Sequence, residues 1–314
     1  MRVVLHTAAG PGLAARLSAF AAQDLDVIAC PEADEARLAV LLREAEVLWH
    51  VLKPATGAMM AAAPNLRLIQ KIGTGVNTID LDAARARGIA VCNLPGVNAP
   101  AVAEMTLLLI LAALRRLPLL DAATRAGEGW ALDPSLQDQF SELGGLTVGL
   151  VGYGAVPQAL APLLQAFGCR ILYTASGRKT GVLGSYRRLS ALLAQSDVVS
   201  LHLPLTAKTE RIMDAAAFAQ MKSGAVLVNT ARGGLVDHAA LVAALESGRL
   251  GAAGLDVFAQ EPPAPDDPLF AFPNVVVAPH VAWLTTGTFD RALAKAAENC
   301  RRLAQGKRLL HQVV

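Results

Sequence analysis

The stretch TVGLVGYGAVP, residues 147–157, decides the fold class. An apolar run predicts a buried strand, and an amphipathic helical pattern follows the two glycines. Gly152 permits a tight turn, Gly154 lets a pyrophosphate approach the backbone, and the amides of Ala155 and Val156 point at the anion from the helix N-terminus. The stretch therefore predicts a dinucleotide-binding turn. A glycine-rich turn without a ligand is the alternative, which the flanking strand and helix disfavour.

Two prolines depart from this motif. Pro157 stands where a third glycine is usual, and it is tolerated because the first helical turn has no intrahelical partner for that N–H group. Pro162 lies in the middle of the predicted helix and frees the carbonyl of Gln158. We therefore expect a kink at Pro162.

Short apolar runs alternate with helical patterns along the whole chain, which is typical of βαβ units around parallel sheets. The class is therefore α/β. Two series of strands are predicted on either side of a long helix, Ala99–Leu117, and a polar segment, Ala126–Gly144. The first comprises Val3–Thr7, Val27–Ala29, Val47–Val51, Arg67–Ile72 and Ala90–Asn93, and the second Thr147–Val151, Arg170–Thr174, Val198–Leu203, Ala225–Asn229, Ala252–Phe258 and Val275–Ala278.

The composition excludes several classes of protein. With 314 residues, 54% of them hydrophobic, the chain can bury a large core and has the length of two domains. Its 28 Lys and Arg against 26 Asp and Glu, without blocks of like charge, predict no nucleic-acid or membrane partner. The four cysteines lie far apart, which predicts buried thiols and no metal site. The N-terminus lacks a signal-peptide core, so the expected location is the cytoplasm.

The residues after the strand Arg170–Thr174 bear on the cofactor. An acidic residue there would hold the ribose hydroxyls of NAD, but this chain continues Ala175-Ser176-Gly177-Arg178-Lys179. Ser176, Arg178 and Lys179 can hydrogen-bond and neutralise a 2′-phosphate. This predicts NADP, with NAD as the alternative if the two cations are ordinary solvated loop charges.

Three ionisable residues follow predicted strands of the second series, namely Arg232, Glu261 and His280. Carboxyl ends of parallel strands face one crevice, so one site can hold all three. Hydride transfer to a carbonyl needs a proton donor, which His280 can supply, and a cation for a substrate carboxylate, which Arg232 can supply. Glu261 would orient His280. The other histidines are expected to be core or surface residues: His6, His50, His202, His238 and His311.

Several motifs together resemble the D-isomer-specific 2-hydroxyacid dehydrogenases. They are Gly73-Thr74-Gly75-Val76-Asn77-Thr78-Ile79-Asp80, Pro95-Gly96-Val97-Asn98, Val102-Ala103-Glu104, Asn229-Thr230-Ala231-Arg232-Gly233-Gly234-Leu235-Val236-Asp237, Gly254-Leu255-Asp256-Val257-Phe258 with Glu261-Pro262, and Pro279-His280. The resemblance implies two doubly wound parallel-sheet domains: a Rossmann NAD(P)-binding domain, residues 95–285, inserted into a flavodoxin-like substrate domain, residues 1–94 and 286–314. It also implies an active site in the cleft and a metal-free transfer of hydride between NAD(P)H and a 2-oxo acid, giving a D-2-hydroxy acid.

The resemblance also implies roles for individual residues. Arg232 would bind the substrate carboxylate and carbonyl, and His280, paired with Glu261, would be the general acid and base. Backbone amides of Thr74, Gly75 and Val76 would hold the carboxylate, and Leu52 and Trp283 would wall a pocket for a small or aliphatic 2-oxo acid. Asp256 would face the nicotinamide carboxamide, and the backbone of His202, Leu203, Pro204, Thr230 and Ala231 would line the cofactor.

Two further functions stay open at this point. The same fold serves NAD(P)-sensing binding proteins of the corepressor type. An NAD-dependent phosphoglycerate-type dehydrogenase is the other alternative, although the bulky residues after His280, among them Trp283, disfavour a large phosphorylated substrate. The helix Ala99–Leu117 and the segment Ala126–Gly144 resemble the dimerisation surface of the family, which predicts a homodimer.

Overall fold

The computed structural model describes residues 1–314, which divide into two compact units. Unit 1 consists of Met1–Asn98 and Thr285–Val314, and unit 2 consists of Ala99–Leu284. The chain therefore passes between the units after Asn98 and after Leu284, where the sequence placed the boundaries after residues 94 and 285.

Unit 1 is built on five strands: β1 (Arg2–His6), β2 (Asp26–Cys30), β3 (Val47–His50), β4 (Leu68–Lys71) and β5 (Ala90–Cys92). They form one parallel sheet in the order β2-β1-β3-β4-β5, which is the flavodoxin-like order. The helices are α1 (Pro11–Ser18), α2 (Glu35–Leu42), α3 (Gly57–Ala61), α4 (Leu81–Ala86) and the C-terminal helix Thr286–Ala304. The predicted fold of this part is confirmed.

The central strands of unit 1 are buried along their whole length, as expected for a parallel sheet covered on both faces. The C-terminal helix is fixed to β4 by a buried polar contact, in which Asn299 Nδ2 donates to Gln70 Oε1 at 2.6 Å. Because both side chains are buried, their polar atoms must find partners inside the unit. The contact therefore joins the two sequence-distant parts of unit 1.

Unit 2 has seven strands: β6 (Thr147–Val151), β7 (Arg170–Thr174), β8 (Ser185–Tyr186), β9 (Val198–Leu201), β10 (Ala225–Asn229), β11 (Leu250–Leu255) and β12 (Val275–Val277). The parallel sheet has the order β12-β11-β10-β9-β6-β7-β8. Its helices are α5 (Ala99–Leu114), α6 (Leu117–Arg125), α7 (Ala155–Ala166), α8 (Leu189–Gln195), α9 (Ala215–Gln220) and α10 (His238–Glu246). The strand order reverses between β6 and β9, as in a Rossmann fold, so the predicted fold class is confirmed.

Three local expectations from the sequence were wrong or incomplete. The helix predicted over Ala99–Leu117 ends at Leu114, because Arg116 adopts the left-handed conformation (φ 48°) and a new helix begins at Leu117. Pro162 does not interrupt α7; it is exposed, where water can satisfy the freed carbonyl of Gln158. The two-residue strand β8 was not predicted, because it is too short to show a periodic pattern.

Helix starts in both units carry side-chain caps. The carboxylates of Asp34, Asp80, Asp214 and Asp237 each accept a hydrogen bond from the amide three residues further on. Such a cap stabilises a helix by about 1 kcal/mol. No helix of the protein combines the length and the apolar character needed to span a membrane.

Candidate active site

The turn between β6 and α7 has the backbone geometry that a dinucleotide requires. Gly152 adopts φ 103°, and a Cβ atom there would lie 2.7 Å from the carbonyl oxygen of His202, so only glycine fits. A Cβ at Gly154 would meet no atom within 4 Å, so the space above this residue is open. Ala155 and Val156 form the first turn of α7, where N–H groups have no intrahelical acceptor. The residues present therefore fit a pyrophosphate.

Pro157 is compatible with this turn. It is buried in the first turn of α7, where the absent N–H group removes no helical hydrogen bond. The first bond across the turn runs instead from the Gln158 amide to the carbonyl of Gly154, at 3.2 Å. The lost third glycine therefore leaves the start of the helix intact.

The loop after β7 presents its polar and basic residues to solvent. Ser176, Arg178 and Lys179 are exposed. The loop is fixed at one point, because the Tyr173 hydroxyl accepts a hydrogen bond from the Lys179 amide at 2.8 Å. The Arg178 guanidinium carbon lies 5.9 Å from the centre of the Tyr186 ring. These cations are therefore held near the end of β7, beside the β6 to α7 turn in the sheet order.

Arg232 follows β10 in an extended conformation (φ −150°, ψ 136°) and is half-buried. The Asn229 side chain fixes its loop, donating to the Arg232 carbonyl at 2.9 Å and accepting from the Ala231 amide at 3.0 Å. A Cβ atom at Gly233 would lie 1.9 Å from the carbonyl carbon of Phe258, so a glycine is required for the loops after β10 and β11 to touch. Burial lowers the pKa of Arg232 and the charge of Glu261 opposes this, and the guanidinium stays charged.

His280 and Glu261 form a short hydrogen bond, with His280 Nδ1 2.6 Å from Glu261 Oε2. The other carboxylate oxygen of Glu261 accepts the Phe258 amide at 3.0 Å. Burial raises the pKa of Glu261, but the hydrogen bonds from His280 and Phe258 and the charges of His280 and Arg232 outweigh it, so the net pKa is lowered. Glu261 is therefore an ionised acceptor that engages Nδ1 of His280 and leaves Nε2 for another partner.

Asp256 fixes the backbone that carries His280. Its buried carboxylate accepts the Val281 amide at 2.8 Å and the Ala282 amide at 2.9 Å, and its carbonyl accepts the His280 amide at 2.7 Å. Burial raises the pKa of Asp256, and the two backbone hydrogen bonds and the charge of His280 oppose this rise. His280 itself adopts φ 56°, a conformation that needs such support.

This supporting role of Asp256 was not predicted from the sequence. Trp283 adds to it, since Nε1 donates to the His280 carbonyl at 3.0 Å. Both contacts depend on a turn at residues 280–283 that periodicity does not reveal. The sequence signal that could have found them is the run Gly254-Leu255-Asp256, which places a carboxylate directly after a buried strand.

The other residues predicted to line a cofactor also follow strands of unit 2. His202, Leu203 and Pro204 come directly after β9, and Thr230 and Ala231 directly after β10. Thr230 Oγ1 lies 2.9 Å from Thr106 Oγ1 of α5. Desolvation lowers the pKa of His202 to about 3, and its Nε2 lies 2.9 Å from Ser200 Oγ. His202 is therefore a neutral residue whose side chain is engaged within the unit.

The remaining predicted substrate residues belong to unit 1. Thr74, Gly75 and Val76 lie in the loop after β4, which is fixed where Asn93 Nδ2 donates to the Thr74 carbonyl at 2.8 Å. The amides of these three residues donate no hydrogen bond within unit 1. Leu52 lies in the loop after β3, with 37% of its surface exposed.

The comparisons with known proteins agree on one family. The sequence profile of the D-isomer specific 2-hydroxyacid dehydrogenase NAD binding domain matches residues 107–282. The chain is similar to the glyoxylate reductase of Aeropyrum pernix, with 43% identity over 273 residues, 84% of this chain and 82% of that protein. It is also similar to the D-3-phosphoglycerate dehydrogenase of Mycobacterium tuberculosis, with 40% identity over 291 residues, 91% of this chain but 52% of that protein.

A solved structure extends the similarity to the whole chain. A crystal structure of a protein from Thermus thermophilus superposes with a TM-score of 0.90 and 38% sequence identity, covering 100% of both chains. Unit 1, which lies wholly outside the matched NAD binding profile, is therefore included in the structural similarity.

Proposed function

Because the chain belongs to the D-isomer-specific 2-hydroxyacid dehydrogenase family, we propose that it is an NADP(H)-preferring reductase of small 2-oxo acids. The family makes it an oxidoreductase acting on a nicotinamide cofactor. The observation that carries the proposal is the 2.6 Å contact between His280 Nδ1 and Glu261 Oε2, in a loop cluster that also contains Arg232. The similarity to a glyoxylate reductase supports a small substrate.

His280 would act as the general acid in reduction. Glu261 engages Nδ1, so Nε2 is the atom that would give its proton to the alkoxide as the carbonyl is reduced. In the reverse direction the same nitrogen would take the proton from the hydroxyl group. Glu261 keeps the imidazole ring oriented.

Arg232 would bind the carboxylate of the substrate and polarise the carbonyl beside it. A guanidinium presents several N–H donors in a fixed plane, which suits these neighbouring oxygens. Its half-buried position strengthens the interaction, because charges interact more strongly away from bulk water. The amides of Thr74, Gly75 and Val76 are proposed as further carboxylate donors, and Leu52 and Trp283 as apolar walls.

The dinucleotide would be held by unit 2 and supplies the hydride when it is bound. Gly152, Gly154, Ala155 and Val156 would hold its pyrophosphate, for the reasons given by the turn geometry. Asp256, besides its backbone contacts, is proposed to receive the carboxamide. The backbones of His202, Leu203, Pro204, Thr230 and Ala231 would line the remaining length of the cofactor.

The preference for NADP(H) is proposed from the loop after β7. Ser176, Arg178 and Lys179 are exposed there, and neither cation forms an ion pair within the chain. A 2′-phosphate would be favoured by these charges, whereas no carboxylate stands at Ala175 to hold the two ribose hydroxyls of NAD.

The test is steady-state oxidation of NADPH and NADH by the purified protein with glyoxylate, hydroxypyruvate, pyruvate, a branched 2-oxo acid and 3-phosphohydroxypyruvate. We expect turnover of the small 2-oxo acids and a higher kcat/KM with NADPH. Arg178→Ala should lower kcat/KM with NADPH by roughly tenfold, the scale of one charge-assisted contact, and leave NADH nearly unchanged. Arg170→Ala, at the exposed start of the same strand, is the matched control.

Three other kinetic results would each contradict a different part of the proposed function. Turnover of only the phosphorylated substrate would replace the proposal by a phosphoglycerate-type dehydrogenase, which the 40% identity to such an enzyme makes the second candidate. Dinucleotide binding without turnover of any acid would point to a sensing protein. Equal use of both cofactors, unaffected by Arg178→Ala, would remove the basis for NADP(H).

A homodimer is proposed from apolar exposure on unit 2. Trp130 is 90% exposed, Leu108 is 53% exposed and Leu117 is 51% exposed, all on or near α5, α6 and the following polar segment. A contiguous patch of such side chains would be typical of an interface. Sedimentation velocity should show a dimer that Trp130→Asp weakens, and a monomeric wild type would contradict the proposal.

A further inference from the structure

Four chemically active side chains lie in a row across the sheet of unit 1. Cys30, His6, His50 and Lys71 end the neighbouring strands β2, β1, β3 and β4, and they are register partners along the row. All four are buried, with 6% exposure or less. The proposed mechanism uses none of them. Lys71 is the one that adjoins the loop carrying Thr74, Gly75 and Val76.

The Lys71 ammonium joins the two loops that follow β3 and β4. Its Nζ donates to the carbonyl of Val51, directly before Leu52, and to Thr78 Oγ1 at 3.5 Å, after the 73–76 loop. It also lies 3.3 Å from His50 Nδ1. An ammonium has three protons, so it can donate to several acceptors at once. All three of these acceptors are uncharged groups.

His50 is suited to be one of these acceptors. Its Nε2 lies 2.8 Å from the Lys53 carbonyl, which can only accept, so Nε2 carries the proton and Nδ1 has a free lone pair. Burial and the charge of Lys71 lower the pKa of His50 to about 3. His50 is therefore neutral at physiological pH, and the pair keeps its charge on Lys71.

The side chain of Lys71 passes beneath the start of the substrate loop. A Cβ atom at Gly73 would lie 3.7 Å from Lys71 Cε. The next three amides donate no hydrogen bond within unit 1. Their N–H dipoles and the buried ammonium both favour negative charge near this loop, and the low polarity of the surroundings strengthens the effect.

We propose that Lys71 is a specificity-determining residue: its buried ammonium makes the 73–76 loop select a carboxylate over a neutral group of the same shape. This inference rests on the proposed reductase function. Burying a charge is costly, and methionine would fill a similar volume without that cost, although the Val51 carbonyl and His50 Nδ1 would then lose their donor. The Lys71 ammonium lies beneath a loop whose amides at residues 74–76 donate no hydrogen bond within unit 1. A substrate anion bound at these amides would be attracted by the ammonium.

The experiment compares glyoxylate with methyl glyoxylate, and pyruvate with methyl pyruvate, as substrates or as competitive inhibitors of NADPH oxidation. For Lys71→Met and Lys71→Gln we expect the apparent affinity for each acid to fall by roughly 10- to 30-fold, the scale of one charge acting inside a protein. The change should be in KM, with kcat within about threefold of wild type, and the methyl esters should change by less than about threefold.

The controls separate charge from structure. Lys53→Met removes a lysine from the same loop region, but one paired with Glu35 at 2.7 Å at the surface, and it should leave the acid-to-ester ratio unchanged. Lys71→Arg keeps the charge and should retain the ratio even if it lowers the melting temperature. Lys71→Gln is the neutral variant that decides the question if Lys71→Met does not fold.

Two results would overturn the proposal. Equal losses for acids and esters in Lys71→Gln would make Lys71 a structural residue, and an unchanged acid-to-ester ratio would show that its charge does not reach the substrate. Failure of the wild type to act on any acid of either pair would instead contradict the proposed reductase function.

Discussion

Each of the two parallel sheets presents a histidine at its carboxyl edge, and their surroundings are opposite. His50 ends β3 of unit 1 with 0% exposure, and a buried lysine lies beside it. His280 follows β12 of unit 2 with 21% of its side chain exposed, and a carboxylate lies beside it. Similar topological positions therefore place one histidine beside a buried cation and the other beside a carboxylate.

The difference shows that the partner and the exposure decide what a strand-end histidine can do. A cation next to a buried imidazole opposes its protonation, whereas an ionised carboxylate favours it. His50 uses both ring nitrogens inside unit 1, on Lys53 and Lys71. His280 uses only Nδ1, on Glu261. Only the second arrangement leaves a ring nitrogen for a substrate.

The substitution with the largest expected effect on this comparison is His280→Ala. We expect kcat for reduction to fall by roughly 10²- to 10⁴-fold, the usual contribution of a general acid, with NADPH affinity nearly unchanged. Fluorescence titration of NADPH and steady-state kinetics measure the two quantities. His238→Ala is the matched control, because that histidine is also partly exposed and paired with a carboxylate, Asp267, at 3.3 Å. A fully active His280→Ala would exclude His280 as the acid.

The next test concerns the cation in the same loop cluster. Arg232→Lys keeps the charge but loses the planar set of donors, so we expect kcat/KM to fall by roughly 100-fold. The loss should be much smaller for Arg211→Lys, an exposed arginine 3.9 Å from Asp237. Equal kinetics in wild type and Arg232→Lys would mean that a point charge is sufficient and that the two-oxygen contact is wrong.

Glu261→Gln tests the partner that distinguishes His280 from His50. Turnover should fall by roughly 10- to 100-fold, as for other residues that orient a functional histidine. The pKa of Glu261 is lowered from its ordinary 4.5, so the carboxylate stays ionised throughout an assay above pH 5. Titration of Glu261 itself should therefore add no pH dependence to the wild-type rate above pH 5.

The stability of the Glu261 variant provides an independent check. A carboxylate with a lowered folded-state pKa stabilises the protein above its unfolded-state pKa, and this contribution is lost as the pH falls through the folded-state value. The stability difference between wild type and Glu261→Gln should thus shrink only below pH 4.5. A difference that already disappears between pH 7 and pH 5 would show that Glu261 is not the ionised partner.

The sequence predicted the features that depend on local pattern. Gly152 and the strand before it are recognisable because an apolar run predicts a buried strand and a glycine directly after it indicates a tight turn. The strand ends carrying Arg232 and His280 follow from the same reasoning. Both sheets were predicted because buried parallel strands are continuous apolar runs.

The features that the sequence did not reveal depend on register and on turns. Lys71 and His50 are 21 residues apart and meet only because β3 and β4 are paired in that register. Asp256 holds the amides of Val281 and Ala282, 25 and 26 residues further on, through a turn whose backbone is left-handed at His280. Composition and periodicity carry no information about such contacts.

The smallest expected effect concerns His50 itself and appears only in acid. Burial and Lys71 lower its pKa from 6.5 to about 3, so between these values the unfolded chain binds a proton that the folded protein does not. The contribution of neutral His50 to the free energy of unfolding is therefore fully present well above pH 6.5. It decreases as the pH falls below 6.5, by about 1 kcal/mol between pH 6.5 and pH 5.5. In urea unfolding, His50→Gln should lose this pH dependence, whereas His238→Gln, 41% exposed, should keep it. An unchanged acid dependence in His50→Gln would mean that His50 becomes protonated in the folded protein, and the contrast with His280 would then rest on exposure alone.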